Sequence, residues 1–264
     1  MLTLGVLAPV VLAPFVGSYL GVLIRRLPRG LPTAFARSRC ESCGSVLAAR
    51  DLVPLGSYLA LRGRCRACRA PIAPFHWGIE LAAVGVPLGA ALAGDDGARL
   101  WAGCLLGWTL LVLVWIDWEH LRLPDALTLP LLLAGLAVTA WLTPDALTAH
   151  AAAAALGWLA LLGLGVLYRR LRGRDGLGEG DAKLLGAAGA WVGPAGLPSI
   201  VLLAAVIGLA VALIAWLAKR NVSSATAIPF GPCLAAALWA DWLHGSPLLG
   251  VAASCCLSFS GGFP

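Results

Sequence analysis

Eight apolar stretches separated by short polar connections leave this chain little choice but a bundle of helices in a lipid bilayer. They run approximately over residues 3–24, 77–94, 99–116, 126–143, 146–168, 182–194, 196–218 and 229–250. A membrane-crossing helix needs roughly 20 apolar residues, and fewer where neighbours shelter it. Only 12% of the residues are charged, about half of the roughly 25% typical of a soluble domain. The expected fold is an all-α polytopic membrane protein of about eight transmembrane helices, with a cytoplasmic zinc-binding loop between the first two. The sixth stretch, AKLLGAAGAWVG, is short and glycine-rich, so neighbouring helices should shield it. The first lacks a basic leading region and a small-residue cleavage site and reads as a retained anchor. The organisation expected is a first helix (1–24), a loop (25–76), a helical core (77–250) and a tail (251–264).

Arginine and lysine set the orientation. The segment from Arg25 to Arg69 holds ten arginines against two acids. Connections on the same side carry Arg122, then Arg169, Arg170, Arg172, Arg174 and Lys183, then Lys219 and Arg220. The opposite side has Arg99 alone, beside Asp95 and Asp96. Eight spans then put both termini outside the cytoplasm and residues 25–76 inside it. The formal charge of +6 is spread over these connections, so no nucleic-acid partner is expected.

Cys40-x-x-Cys43 and Cys65-x-x-Cys68 are 21 residues apart. Paired knuckles at this spacing read as a four-thiolate tetrahedral zinc site. Arg39, Arg64, Arg66 and Arg69 beside them favour thiolate over thiol. The loop is too small for its own apolar core, so metal binding would supply its folding energy. Disulfides and free thiols are the duller readings, and a cytoplasmic location disfavours the first. A closed four-cysteine site has no open position, so zinc is expected to be structural. Cys104, Cys233, Cys255 and Cys256 lack ligand spacing and read as small apolar packers.

Two aspartates lie at apolar edges on the side the arginines mark as cytoplasmic. Asp117 ends LLVLVWID, and Asp181 follows GLGEG. A carboxylate at the edge of hydrocarbon is costly, and two on one side can act as an acid–base pair. Asp117 faces the unfavourable end of its helix dipole, a placement that function would explain. Asp181 has the duller reading of a helix N-cap, and so, with more force, does Asp125. Glu119 and His120 read as loop residues or partners of the pair. The glycines before Asp181 free the backbone, which an extended peptide can then approach as an added strand. Gly178, Gly180 and Lys183 are therefore expected to be substrate-binding or supporting residues. The opposite helix ends that the two aspartates occupy suggest one protonated and one ionised carboxyl, titrating together. Gly17, Gly21, Gly186, Gly189 and Gly193 fit close helix packing. Trp77, Trp101, Trp115, Trp118, Trp141 and Trp191 read as interfacial anchors.

These segments resemble the bacterial prepilin peptidases, membrane aspartic proteases of the Gly-x-Gly-Asp type that also carry N-methyltransferase activity. GSYLGVLIRRLP resembles the family's first-span signature. RCESCG, DLVPLGSYLALRGRCRAC and IAPFHWGIEL resemble its zinc loop. IDWEHLRLPDALTLP and GLGEGDAKLLGAAGAW resemble its catalytic segments, and IPFGPCLA its last-span signature. The resemblance implies that Asp117 and Asp181 are the catalytic pair and that Cys40, Cys43, Cys65 and Cys68 are the loop ligands. It implies a type IV prepilin or secretion pseudopilin as substrate, cleavage at the cytoplasmic membrane edge, and S-adenosylmethionine as methyl donor. Gly21 stands where the family usually has Asn, and His76-Trp77 where it commonly has Tyr-Pro, while Glu80 is kept.

Three other readings compete. A peptidase without methyl transfer would keep the aspartates alone. A proton-coupled transporter would place acids near mid-membrane with repeated halves, and no repeat is visible. A scaffold docking a secretion motor through its loop would tolerate Asn at positions 117 and 181.

Overall fold

The computed structural model describes residues 4–34, 37–173, 178–218 and 229–245. Arg174, Gly176, Leu177, Lys219, Arg220, Cys255, Cys256 and the tail lie outside the described residues. Eight α-helices occur among those described: α1 (Leu4–Arg26), α2 (Gly56–Ala60), α3 (Pro74–Leu92), α4 (Gly97–His120), α5 (Asp125–Leu142), α6 (Leu147–Arg172), α7 (Glu179–Leu217) and α8 (Gly231–His244). Six of them, all but α2 and α8, are long and apolar enough to cross a membrane. They are apolar on most faces, as lipid contact and helix contact together require.

Two differences from the sequence reading concern the last three stretches. The sixth and seventh form a single 39-residue helical run, α7, broken at Gly193 (φ 70°, ψ −170°). An unbroken α-helix of that length would be about 58 Å long, nearly twice the roughly 30 Å hydrocarbon core. The left-handed Gly193, followed by Pro194, divides it. The eighth stretch is 14 residues as a helix, about 21 Å, and residues 246–250 are outside the description.

The chain forms two compact units, Met1–Val112 and Leu113–Pro264, with the boundary inside α4. In the first, α1 packs on α3 through Gly17, where a Cβ would lie 2.7 Å from the Glu80 Cα. Gly21 is under no such demand, since a Cβ there would meet Ile79 at an ordinary 3.4 Å.

In the second unit the first half of α7 is the central element. Gly186 and Gly189 bring it against Ala153 and Ala154 of α6, with a Cβ at Gly189 only 2.5 Å from the Ala153 backbone. These small residues let backbones approach closely, which drives packing where lipid removes the hydrophobic drive. Trp191, expected at an interface, is instead 3% exposed. Its indole N–H donates to the Leu131 carbonyl of α5 (2.9 Å), and Gly135 makes room for the ring. A buried indole needs such a partner. Thr139 and His150 both reach the Ala190 carbonyl just before the break.

Candidate functional site

Asp117 lies in the last turn of α4 and is buried. Its carboxylate accepts a hydrogen bond from the backbone N–H of Gly231, the first residue of α8. A Cβ at Gly231 would stand 2.6 Å from the Asp117 Oδ2. The contact therefore demands glycine. The unfavourable placement noted from the sequence is offset by the positive end of a second helix.

Asp181 is the third residue of α7 and is buried as well. Its carboxylate turns back beside the backbone of Gly178 at the N-cap position, where a Cβ would stand 3.2 Å from Oδ2. The helix ends that carry Asp117 and Asp181 meet around one side chain. Leu123 fills the space between the helix ends: a Cβ at Gly180 would be 2.7 Å from its Cβ, and one at Gly231 3.2 Å from its Cδ1. Gly180 thus serves close approach of α7 to the α4–α5 connection.

The connection after α4 turns at Leu121, which adopts φ 51° while its N–H bonds to the Asp117 carbonyl (2.8 Å). A leucine in the left-handed region costs about 1–2 kcal/mol. Asp125 is the first residue of α5 rather than its cap, which is Pro124. Its carboxylate instead accepts from the Lys183 Nζ at 2.6 Å, tying α5 to the first turns of α7. Glu119 accepts from the Trp115 indole (2.8 Å) and lies 3.9 Å from His120.

In the first unit, the sulfurs of Cys40, Cys43, Cys65 and Cys68 all lie within 4.8 Å of one another, with Cys40 and Cys68 3.9 Å apart. A tetrahedral zinc–thiolate shell with bonds of about 2.3 Å spaces its sulfurs by about 3.8 Å. The cluster is able to bind a metal ion. The two knuckles repeat one local design. The Cys40 N–H bonds to the Ser45 carbonyl and the Gly44 N–H to that of Cys40; Cys65 pairs likewise with Ala70, and Arg69 with Cys65. Gly44 (φ 70°) and Arg69 (φ 60°) hold the same left-handed position. Hydrogen bonds from Ser45 hold the Cys43 thiol down at about 6. The Cys68 and Ala67 amides lower that of Cys65. Both shifts favour the thiolate that a metal needs. Glu80, buried in α3, accepts from the Leu55 N–H at 2.7 Å and bonds to Ser18, which pins the loop to α1 and α3.

The two aspartates, the four cysteines and the supporting residues stand out in the sequence, whereas Gly231 does not. The glycine-proline step in IPFGPCLA, opening an apolar stretch, was the available signal.

Residues 104–213 match the model of the type IV leader peptidase family. Residues 11–93 match that of the bacterial Peptidase A24 N-terminal domain. A Burkholderia pseudomallei protein named prepilin leader peptidase/N-methyltransferase is 42% identical, over 90% of this chain and 85% of its own. Proteins of the same name from Stutzerimonas stutzeri (37%, 92% of both chains) and Pseudomonas aeruginosa (36%, 92% and 91%) are similar throughout. No solved structure matches. A helical protein with six membrane-length apolar helices, a four-cysteine cluster and these matches along its length is a membrane peptidase. The chain belongs to the type IV leader peptidase family.

Proposed function

We propose that this chain cleaves the short basic leader of type IV prepilins, or of type II secretion pseudopilins, at the cytoplasmic face of the bacterial plasma membrane. The observation that carries the reading is the Asp117–Asp181 pair: two buried carboxylates on helix ends that meet around Leu123, each lying against the backbone of a glycine at a helix start. One member, ionised, takes a proton from water; the other, protonated, donates to the scissile carbonyl oxygen. Water oxygen then bonds to the carbonyl carbon, and the C–N bond breaks as the leaving nitrogen gains a proton. A pair that shares one proton is suited to both transfers. Lys183 supports the pair by holding Asp125 and the start of α5, and Gly178 and Gly180 by the contacts described. The arginine asymmetry supports a cytoplasmic loop and both termini on the other side.

The relatives' name supports a second step, N-methylation of the new N-terminus with S-adenosylmethionine. The cavity at the end of α1 does not match this donor. About 680 Å³ in volume, it is lined by seven arginines against three acids, a surplus that disfavours a sulfonium cation. No residue is therefore assigned to the donor, and a peptidase without methyl transfer is the second reading. The four thiolates fit zinc, which would fold the loop and take no part in cleavage.

The test is mass spectrometry of a prepilin N-terminus after co-expression with wild type or Asp181→Asn. Loss of the leader with one added methyl, in wild type alone, is the expected result. A cleaved, unmethylated product supports the second reading. An intact prepilin and an intact pseudopilin, with the protein present in the membrane, overturn both.

A further inference from the structure

We infer that the cavity at the end of α1 receives the phosphodiester headgroup of an anionic phospholipid. It lies wholly within the first unit, between the ends of α1 and α3 and the cysteine loop. Its volume of about 680 Å³ falls within the range of about 300–1,000 Å³ common to small-molecule sites.

Charge argues for an anion. The three lining acids already have partners: Asp51 accepts from Arg66 at 2.7 Å, Glu41 lies 3.6 Å from His76, and Glu80 takes the Leu55 N–H. Arg29, Arg37 and Arg50 are exposed at the cavity and make no hydrogen bond or ion pair with a described residue. Guanidinium forks match phosphate oxygens in geometry as well as charge.

Position argues that the anion is a lipid rather than a soluble one. The lining begins at Ser18, Gly21 and Val22, within the apolar α1, and rises past Arg25 and Arg26 in its last turn. The cavity therefore runs from the span to the loop. The loop also exposes large apolar side chains outside any span, among them Leu31 (50%), Leu52 (41%) and Leu59 (66%), the first two at the cavity itself. Leucines beside arginines at the end of a membrane helix form an interfacial surface, where basic pockets bind anionic headgroups. A soluble ligand would leave those leucines in water.

The experiment is native mass spectrometry of the full chain, purified in neutral detergent, with phosphatidylglycerol or phosphatidylcholine of matched acyl chains. One phosphatidylglycerol retained per chain, and no phosphatidylcholine, is expected. The triple variant Arg29→Gln, Arg37→Gln, Arg50→Gln should weaken retention by about a hundredfold with an unchanged unfolding midpoint. Gly21→Leu, whose Cβ has ordinary room at 3.4 Å, should exclude the lipid by filling the cavity. Equal retention of both lipids, or undiminished retention in both variants, overturns the proposal. So does displacement of the lipid by equimolar glycerol 3-phosphate, which would mean a soluble anion site. Displacement by S-adenosylmethionine would give the cavity to the methyl donor instead and equally overturn it.

Discussion

The Asp117 carboxylate and the Gly231 amide join the C-terminal end of α4 to the N-terminal end of α8. A carboxylate in the last turn of a helix is repelled by that helix's own carbonyl end, and the amide end of a second helix offsets the repulsion. The pairing exists because residue 231 has no side chain.

Gly231→Ala should therefore impair cleavage while leaving the membrane helices in place. Its Cβ, 2.6 Å from Oδ2, displaces the carboxylate. A misplacement of about 1 Å costs about a hundredfold in rate. Gly163→Ala in α6, which meets nothing within 4 Å, is the control. Rates of prepilin processing in detergent, beside unfolding midpoints, check both.

Asn at position 117 or 181 keeps side-chain size and removes the titratable carboxyl. Each change should lower cleavage by about 10²–10⁴-fold. The double variant should be scarcely worse than either single one, since the pair acts as a unit. The wild-type pH–rate profile should show two ionisations belonging to the pair. A profile governed by one group would sink the shared-proton scheme.

One zinc ion per chain is expected by elemental analysis, and Cys65→Ser should abolish it. Cys65 is the buried member of the cluster. Chelation should expose the loop to protease, because metal binding supplies folding energy to a loop with no apolar core of its own. If the aspartates carry out cleavage as proposed, chelated enzyme should lose activity only as the loop unfolds.

Lys183→Met should move the unfolding midpoint little, as exposed ion pairs contribute about 0–1 kcal/mol. Processing should still fall severalfold if the 2.6 Å bond to Asp125 sets the start of α7. The swap Asp125→Lys with Lys183→Asp should recover part of the loss. No recovery in rate would mean that Lys183 acts other than through Asp125.

Apolar stretches reported most helices correctly, because a lipid-facing helix must be apolar along its whole length. The metal cluster was legible for a local reason: each knuckle is built within a few residues. The break in α7 falls where the sequence divides the sixth stretch from the seventh, but the single helical run across it depends on packing along α6. What stayed hidden was long-range. Trp191 looked like an interfacial anchor until Gly135 and the Leu131 carbonyl were found to enclose it. Asp125 looked like a cap until Lys183, distant in sequence, was found beside it. Gly231 carries no chemistry of its own, and its meaning appears only against Asp117.

Both aspartates lie against the main chain of glycines, at positions 178 and 231. Such contacts depend on the path of the chain and not on which side chains surround it. An inhibitor anchored on the main chain at those two glycines would find it in every variant that still folds and cuts. Resistance by point substitution would then have to arise away from the anchoring atoms, where a change in side chain can alter shape without unmaking the enzyme.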